Sequence, residues 1–219
     1  MPRAPMDKAA ISEKKEKILD IAAEIIMEDG YQSLSMRKIG KKIGMTAANL
    51  YNYYSNKDEL NIAIRTRAGK ILYAALMAAY KNGQTISEKI HHMSKAYIEF
   101  GLLKPNYYSI MFDMQTPKFA DYVGSPLEKI ALEEKISSEK SLDLMDQCTQ
   151  DFVTEGYKIP ENTNLFLILI WSQLHGLISL YNNKLISEIN ETPEKTVNEA
   201  TELAYEIFFS FITKDAQVK

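Results

Sequence analysis

The sequence predicts an all-α protein of about nine helices, and three observations carry that expectation. Apolar residues recur at helical spacing along nearly the whole chain. Helix start and stop signals punctuate it in the right order. Only 9 Gly and 7 Pro occur in 219 residues, with no strand alternation, internal repeat or low-complexity tract, which disfavours a turn-rich sandwich or barrel.

Each element has its own reason. Residues 1–12 read as a flexible arm. Ile18, Ala22, Ile25 and Ile26 form the stripe of a first helix, which Gly30 closes. Two short helices follow, about 35–42 and 46–53, separated by Gly44. Ser55-Asn56-Lys57-Asp58 has capping-box spacing and opens a long helix to about Tyr80. Thr85-Ile86-Ser87-Glu88 opens the next, which Lys104-Pro105 breaks. Ser125-Pro126-Leu127-Glu128 joins an N-cap, a first-turn proline and a capping glutamate, opening a helix to about Tyr157. The last two helices are expected over 163–182 and 193–213, joined by a polar loop. The first of them is apolar nearly all round from Leu165 to Trp171, so more than one of its sides must be covered.

A chain of this length makes one large domain or two small ones. The single cysteine, Cys148, excludes an intramolecular disulfide and suits a reducing compartment. There is no apolar h-region at the N-terminus, and the longest apolar run, Leu165 to Trp171, falls far below the ~18 residues that span a bilayer. A cytoplasmic protein without a membrane partner is expected. The net charge of −3 hides an asymmetry: residues 1–70 hold 13 basic and 9 acidic residues, and the rest hold 13 and 20. Gly30 to Lys57 contains Arg37, Lys38, Lys41, Lys42 and Lys57 and no acid. Such a window points either to a polyanion partner or to a solvated basic helix face.

Spacing around Gly44 is the most informative feature. Gly40, four residues before it, is the small residue that two steeply crossing helices need where their backbones meet. Ile39, Ile43, Met45, Leu50 and Tyr53 put one face of each helix onto the first helix. What remains outward on the second is Thr46, Ala47, Ala48, Asn49, Tyr51 and Asn52, a small, polar and aromatic face suited to a major groove. A purely structural helical hairpin is the competing reading.

Residues about 13–62 resemble the DNA-binding domain of the tetracycline-repressor family of bacterial transcription regulators. The resemblance rests on Gly30-Tyr31, Ser35-Met36-Arg37-Lys38-Ile39-Gly40, Gly44-Met45-Thr46, Asn49-Leu50-Tyr51-Asn52-Tyr53-Tyr54 and Asn56-Lys57-Asp58-Glu59-Leu60. It departs mildly at Gly40, where alanine is usual, and at Tyr54, where phenylalanine is usual. The resemblance implies that Ser35 and Arg37 touch the groove edge and that Thr46, Ala47, Ala48, Asn49, Tyr51 and Asn52 lie in the groove. Tyr53 falls between phosphate and core, and Lys57 holds a phosphate. Lys57 agrees with this independently, since a cation at a helix start is unfavourable unless an anion lands there. The reading face lacks Arg, Lys and Gln. Asn pairs with adenine and alanine methyls meet the thymine methyl, so half-sites biased towards A·T are expected, with Arg37 the one guanine reader nearby.

Residues 63–219 resemble the family's helical ligand-binding and dimerisation domain in length and helix plan. Trp171-Ser172-Gln173-Leu174-His175-Gly176 is similar to the Trp-x-x-x-His-Gly signature of one subgroup. Trp171 and His175 share a helix face and line either a pocket or a core, and Gly176 is expected to permit a close helix approach. Tyr107, Tyr108, Met111, Phe112, Met145 and Phe152 are further pocket candidates, or core. Leu167, Leu174, Ile178, Ala204, Phe208 and Phe211 are the candidates for dimerisation of the last two helices as a four-helix bundle. The function expected is a ligand-responsive repressor. It would bind a palindromic operator as a homodimer and be released by a small, lipophilic or aromatic effector, without a cofactor. An enzyme is disfavoured: Glu88-x-x-His91 has di-iron spacing but no second pair, and no phosphate loop, nucleophile elbow or His-Glu-x-x-His occurs. A helical protein-interaction module that never touches DNA is the alternative.

Overall fold

Helical periodicity in the sequence becomes ten α-helices in the computed structural model, which describes residues 7–214. They are α1 (Lys8–Asp29), α2 (Met36–Ile43), α3 (Ala47–Leu50), α4 (Lys57–Asn82), α5 (Ile86–Leu103), α6 (Pro105–Phe112), α7 (Glu128–Thr154), α8 (Thr163–Asn182), α9 (Leu185–Ile189) and α10 (Pro193–Ser210). Two-residue strands, β1 (Tyr157–Lys158) and β2 (Thr213–Lys214), pair antiparallel.

Several boundaries differ from expectation for local reasons. Helix α1 begins at Lys8, within the stretch read as an arm, because Lys8, Ala9 and Ala10 are good helix formers; residues 1–6 lie outside the described residues. The cap of α4 is Asn56 rather than Ser55: its Oδ1 accepts from the backbone N–H groups of Asp58 (3.0 Å) and Glu59 (2.8 Å), while Glu59 reaches back to Ser55. Pro105 does not merely break α5; it occupies the first position of α6, where its missing N–H costs nothing. Helix α7 stops at Thr154, and Gly156, at φ +80°, turns the chain into β1. The loop expected between the last two helices carries the short helix α9.

The chain forms two compact units, residues 1–69 with 106–137 and residues 70–105 with 138–219. In the first, the α1 stripe of Ile18, Ala22, Ile25 and Ile26 is wholly buried against Ile39 of α2, Leu50 of α3, Leu60 and Ile64 of α4 and Ile110 of α6. Arg67 of α4 gathers Glu16 (2.7 Å), Asp20 (2.6 Å) and the Tyr107 hydroxyl of α6 around one guanidinium. Two residues earlier, Arg65 meets the buried carboxylate of Glu134 at 3.2 Å. Lys118 lies nearby, and burial together with the Arg65 charge pushes its amine down to about 8. Asn61 is fully buried and donates to Pro117 O (3.1 Å) and the Tyr122 hydroxyl (3.2 Å).

In the second unit α5, α8 and α10 pack side by side. The close approach of α5 to α8 is at Gly101, where an added Cβ would stand 2.5 Å from Ile178 Cγ2. Gly176, expected to serve this purpose, faces open space: nothing lies within 4 Å of its virtual Cβ. Phe152 of α7 sits among Tyr157, Phe208 and Phe209, with ring centroids 5.7–5.9 Å apart. Cys148 is buried beside Met93, and burial raises its thiol to about 12, which leaves it unreactive. Only one side of α8 is covered, with Leu174 and Ile178 buried, while Leu165, Ile168, Leu169 and Trp171 are exposed. By length and composition α8 is apolar enough to cross a membrane (mean hydropathy 1.4), a test that the core helix of a soluble protein also passes.

Gly40 sets the α2–α3 crossing, since a Cβ there would lie 2.5 Å from Met45 O and 3.5 Å from Ala47 N. Replacing it with alanine gains up to ~1 kcal/mol of helix propensity. The clash is with backbone and costs about 1–3 kcal/mol. Gly40→Ala is therefore expected to melt below the wild type in thermal denaturation. An equal or higher melting temperature would show that the crossing relaxes freely.

Candidate nucleic-acid interface

Two helices and a three-residue turn build the candidate surface. Gly44 takes the left-handed conformation (φ +73°) that ends α2, and Met45 N donates to Gly40 O at 2.8 Å, which brings α3 in under α2. The side chains of Ser35 and Thr46 cap the two helices, accepting from Lys38 N and Asn49 N at 3.2 Å each. Both remain exposed, and each hydroxyl keeps its hydrogen to donate. Helix α3 is shorter than expected. Its last turn tightens to three-residue hydrogen bonds, Asn52 N to Asn49 O (3.3 Å) and Tyr53 N to Leu50 O (2.9 Å).

The outward face holds most of the residues that the sequence assigned to it. Thr46, Ala48, Asn49, Tyr51 and Asn52 are exposed, with Tyr51 at 55%. Asn52 Nδ2 donates to Asn49 Oδ1 at 3.3 Å, so the two amides stand side by side. Ala47 and Tyr53 instead pack partly into the core behind them. This face carries donors, acceptors and methyl groups but no formal charge.

Charge surrounds the face and is of two kinds. Lys38 is paired with Asp29 (2.6 Å), and Lys42 with Glu28 (2.9 Å) and Glu24 (3.3 Å), all on α1. Arg37 and Lys41 are exposed, and neither forms an ion pair among the described residues. Lys57, in the first turn of α4, lies 4.9 Å from the centroid of the Tyr31 ring. The Tyr31 hydroxyl donates to Asp58, and burial together with that carboxylate raises the phenol far above its ordinary value. Tyr31 thus grips the first two residues of α4. No local spacing in the sequence reveals this, because Tyr31 and Lys57 meet only through the tertiary fold.

The candidates in the helical region are divided between the units. Tyr107, Tyr108, Met111 and Phe112 belong to the first, where Tyr108 is fully buried against Phe112 and Tyr107 is engaged with Arg67. Met145, Phe152, Trp171 and His175 belong to the second. There Trp171 Nε1 donates to the Tyr97 hydroxyl at 2.7 Å and meets His175 edge-on. A cavity between α5, α8 and α10, bounded by Ser94, Gln173 and Tyr205 among others, holds about 10 Å³, room for a water. Of the dimerisation candidates, Leu174, Ile178 and Phe208 are buried within their own unit, Leu167 and Ala204 are partly buried, and Phe211 is 67% exposed. Glu88 caps α5 through Gln84 N, and His91 pairs with Glu202 at 2.7 Å. No group of three or more metal-ligating side chains occurs among the described residues.

Comparison with known proteins agrees with this arrangement. The model for bacterial regulatory proteins of the tetR family matches residues 18–64, and that for the tetracyclin repressor-like C-terminal domain matches residues 90–203, more than half of the chain. The HTH-type transcriptional activator FasR of Mycolicibacterium smegmatis is 23% identical over 147 residues, 67% of this chain and 64% of that relative. The chain therefore spans just under two thirds of that relative's length. The fatty acid metabolism regulator protein of Bacillus subtilis is 35% identical over 51 residues, 23% of this chain and 26% of that relative. Among solved structures, the fatty acid degradation regulator FadR from Bacillus halodurans superposes with a TM-score of 0.64 at 17% identity, covering 94% of this chain and 97% of its own. PfmR from Thermus thermophilus, a TetR family transcriptional regulator, gives 0.65 at 18%, covering 86% and 97%. At these identities the structural likeness shows the fold.

Proposed function

Because this chain belongs to the tetR family of bacterial regulatory proteins, we propose that it is a sequence-specific DNA-binding transcription repressor. It acts in the bacterial cytoplasm as a homodimer on a palindromic operator and is released by a small-molecule effector. The observation that carries this is the uncharged, exposed face of α3, flanked by Arg37 and Lys57. A folded protein gains nothing internally from leaving Tyr51, Asn49 and Asn52 in water at a helix crossing, whereas a major groove offers all three a partner. Ser35, Arg37 and Lys57 position the head on phosphates; Thr46, Ala48, Asn49, Tyr51 and Asn52 meet the bases. Ala47 and Tyr53 support that face from behind.

The second copy is proposed to cover the open side of α8 and α10. Leu165, Ile168 and Leu169 on α8, Leu203 and Ile207 on α10, and Phe211 at its C-cap are 41–67% exposed at helical spacing, the pattern of half a four-helix bundle. Two heads related by a two-fold axis would then read half-sites about 34 Å apart. For the effector, an acyl or aromatic compound fits best. The Trp171–His175 pair and the apolar helices suit it, and two relatives are named for fatty acid metabolism or degradation. The cavity between α5, α8 and α10 is too small for such a ligand, so binding there requires these helices to part. Release then follows if the ligand prefers the parted state.

Three outcomes are expected. Binding to DNA flanking the protein's own gene should be tight and fall steeply with salt, and the palindrome selected from random sequence should be A·T-rich at the base-contacting positions. Binding that ignores salt would turn the reading to a protein-interaction module, and a G·C-rich consensus would reject the assigned readers. Emission of Trp171, the chain's one tryptophan, should shift to the blue as concentration rises, and Ile207→Glu should abolish the shift. A wild type that sediments as a monomer at micromolar concentration would reject the dimer. Fatty acids or aromatic compounds that raise the melting temperature should weaken operator binding by about 5- to 150-fold. A compound that binds yet leaves operator affinity unchanged would reject release as the mechanism.

A further inference from the structure

Helix α2 carries four cations in two rows, each spaced four residues apart, and the fold treats the rows differently. Lys38 and Lys42 turn towards α1 and are neutralised there by Asp29, Glu24 and Glu28. Arg37 and Lys41 form the other row, exposed and without an ion pair among the described residues. Gly40, one residue before Lys41 and three after Arg37, is the point where α2 crosses α3. At 100° per residue, this row lies about 60–100° round the helix from Gly40 and flanks the α3 crossing, while Lys38 and Lys42, with the acids of α1, lie on the far side from Gly40.

We propose that Lys41, together with Arg37, is a phosphate-binding row on the outer face of α2, separate from Lys57 at the start of α4. The partner is duplex DNA, so the inference rests on the DNA-binding reading above and assigns a contact which that reading leaves out. Two like charges four apart on one helix repel each other. An acid from α1 could have relieved this row as it relieves the other, and none does; a phosphate would. Lys41 also stands in the last turn of α2, where the helix dipole favours a cation. That role belongs equally to Lys42, so it does not account for the different pairing. A dipole effect would move the melting temperature and leave DNA binding alone, which makes the two roles separable.

The test uses the full chain and two duplexes, one of mixed sequence and one carrying the palindrome selected from random DNA. Binding constants are measured across a salt series for the wild type, Lys41→Gln and Lys42→Gln, with melting temperatures taken alongside. Lys41→Gln is expected to weaken binding by the same factor on both duplexes and to make the salt slope shallower by about 0.9 for every bound protomer. Lys42→Gln keeps the wild-type slope. If the wild type is steeply salt-dependent and Lys41→Gln matches it, the row is not a phosphate contact, while the DNA-binding reading stands. A slope equally shallow in Lys42→Gln overturns the division into two rows. A wild type with no salt dependence on either duplex overturns the DNA-binding reading and this inference with it.

Discussion

The α2–α3 crossing at Gly40 is the constraint on which the candidate surface depends. Two backbones approach so closely there that a single methyl group would touch Met45 O. With that distance fixed, Leu50 points into the α1 stripe, and Thr46, Ala48, Asn49, Tyr51 and Asn52 point away from it. The close crossing also allows α3 to be short. Four residues of helix and a tightened turn suffice because Thr46 caps one end and Leu50 anchors the other. Hydrophobic burial behind the face supplies the rigidity, and the polar residues in front need contribute nothing to folding.

Electrostatics completes the division of labour. Acids on α1 take up two of the cations of α2, and the aromatic ring of Tyr31 holds a third at the start of α4. An aromatic ring under an ammonium restrains it without an opposing formal charge. Surface ion pairs such as Lys38–Asp29 are individually weak. Their consequence here is a directional one: they decide which side of α2 presents unbalanced charge.

What was legible in the sequence is what local chemistry decides. The Ile18, Ala22, Ile25 and Ile26 stripe, the glycine stops at Gly30 and Gly44, and the outward placing of Thr46, Ala48, Asn49, Tyr51 and Asn52 follow from spacing within a few turns. Where two neighbouring residues could each do one job, spacing chose the wrong one: it made Ser55 the cap of α4, and Asn56 takes that place. Contacts between residues far apart in the chain were not legible. Arg67 meets Tyr107 forty residues on and Glu16 fifty-one residues back. Gly101 rather than Gly176 admits the neighbouring helix, because a glycine in a helical pattern does not announce which side of the helix is occupied. The aromatic residues after Pro105 divided in the same way: their spacing suits core and pocket alike, and Tyr108 is wholly buried.

The order in which the chain visits its two units bears on how such a protein can be rebuilt, by engineers or by recombination. Neither unit is one continuous stretch: residues 106–137 return to complete the first, supplying Ile110 to its core and Glu134 to Arg65. The head is therefore not a cassette. A chimaera spliced once within α4 would pair this head with a foreign α6 and the first turns of a foreign α7. Leu60, Ile64 and Arg65 would then face surfaces that never evolved beside them. Substituting the exposed residues of α3 one by one leaves those contacts in place, whereas trading whole heads does not.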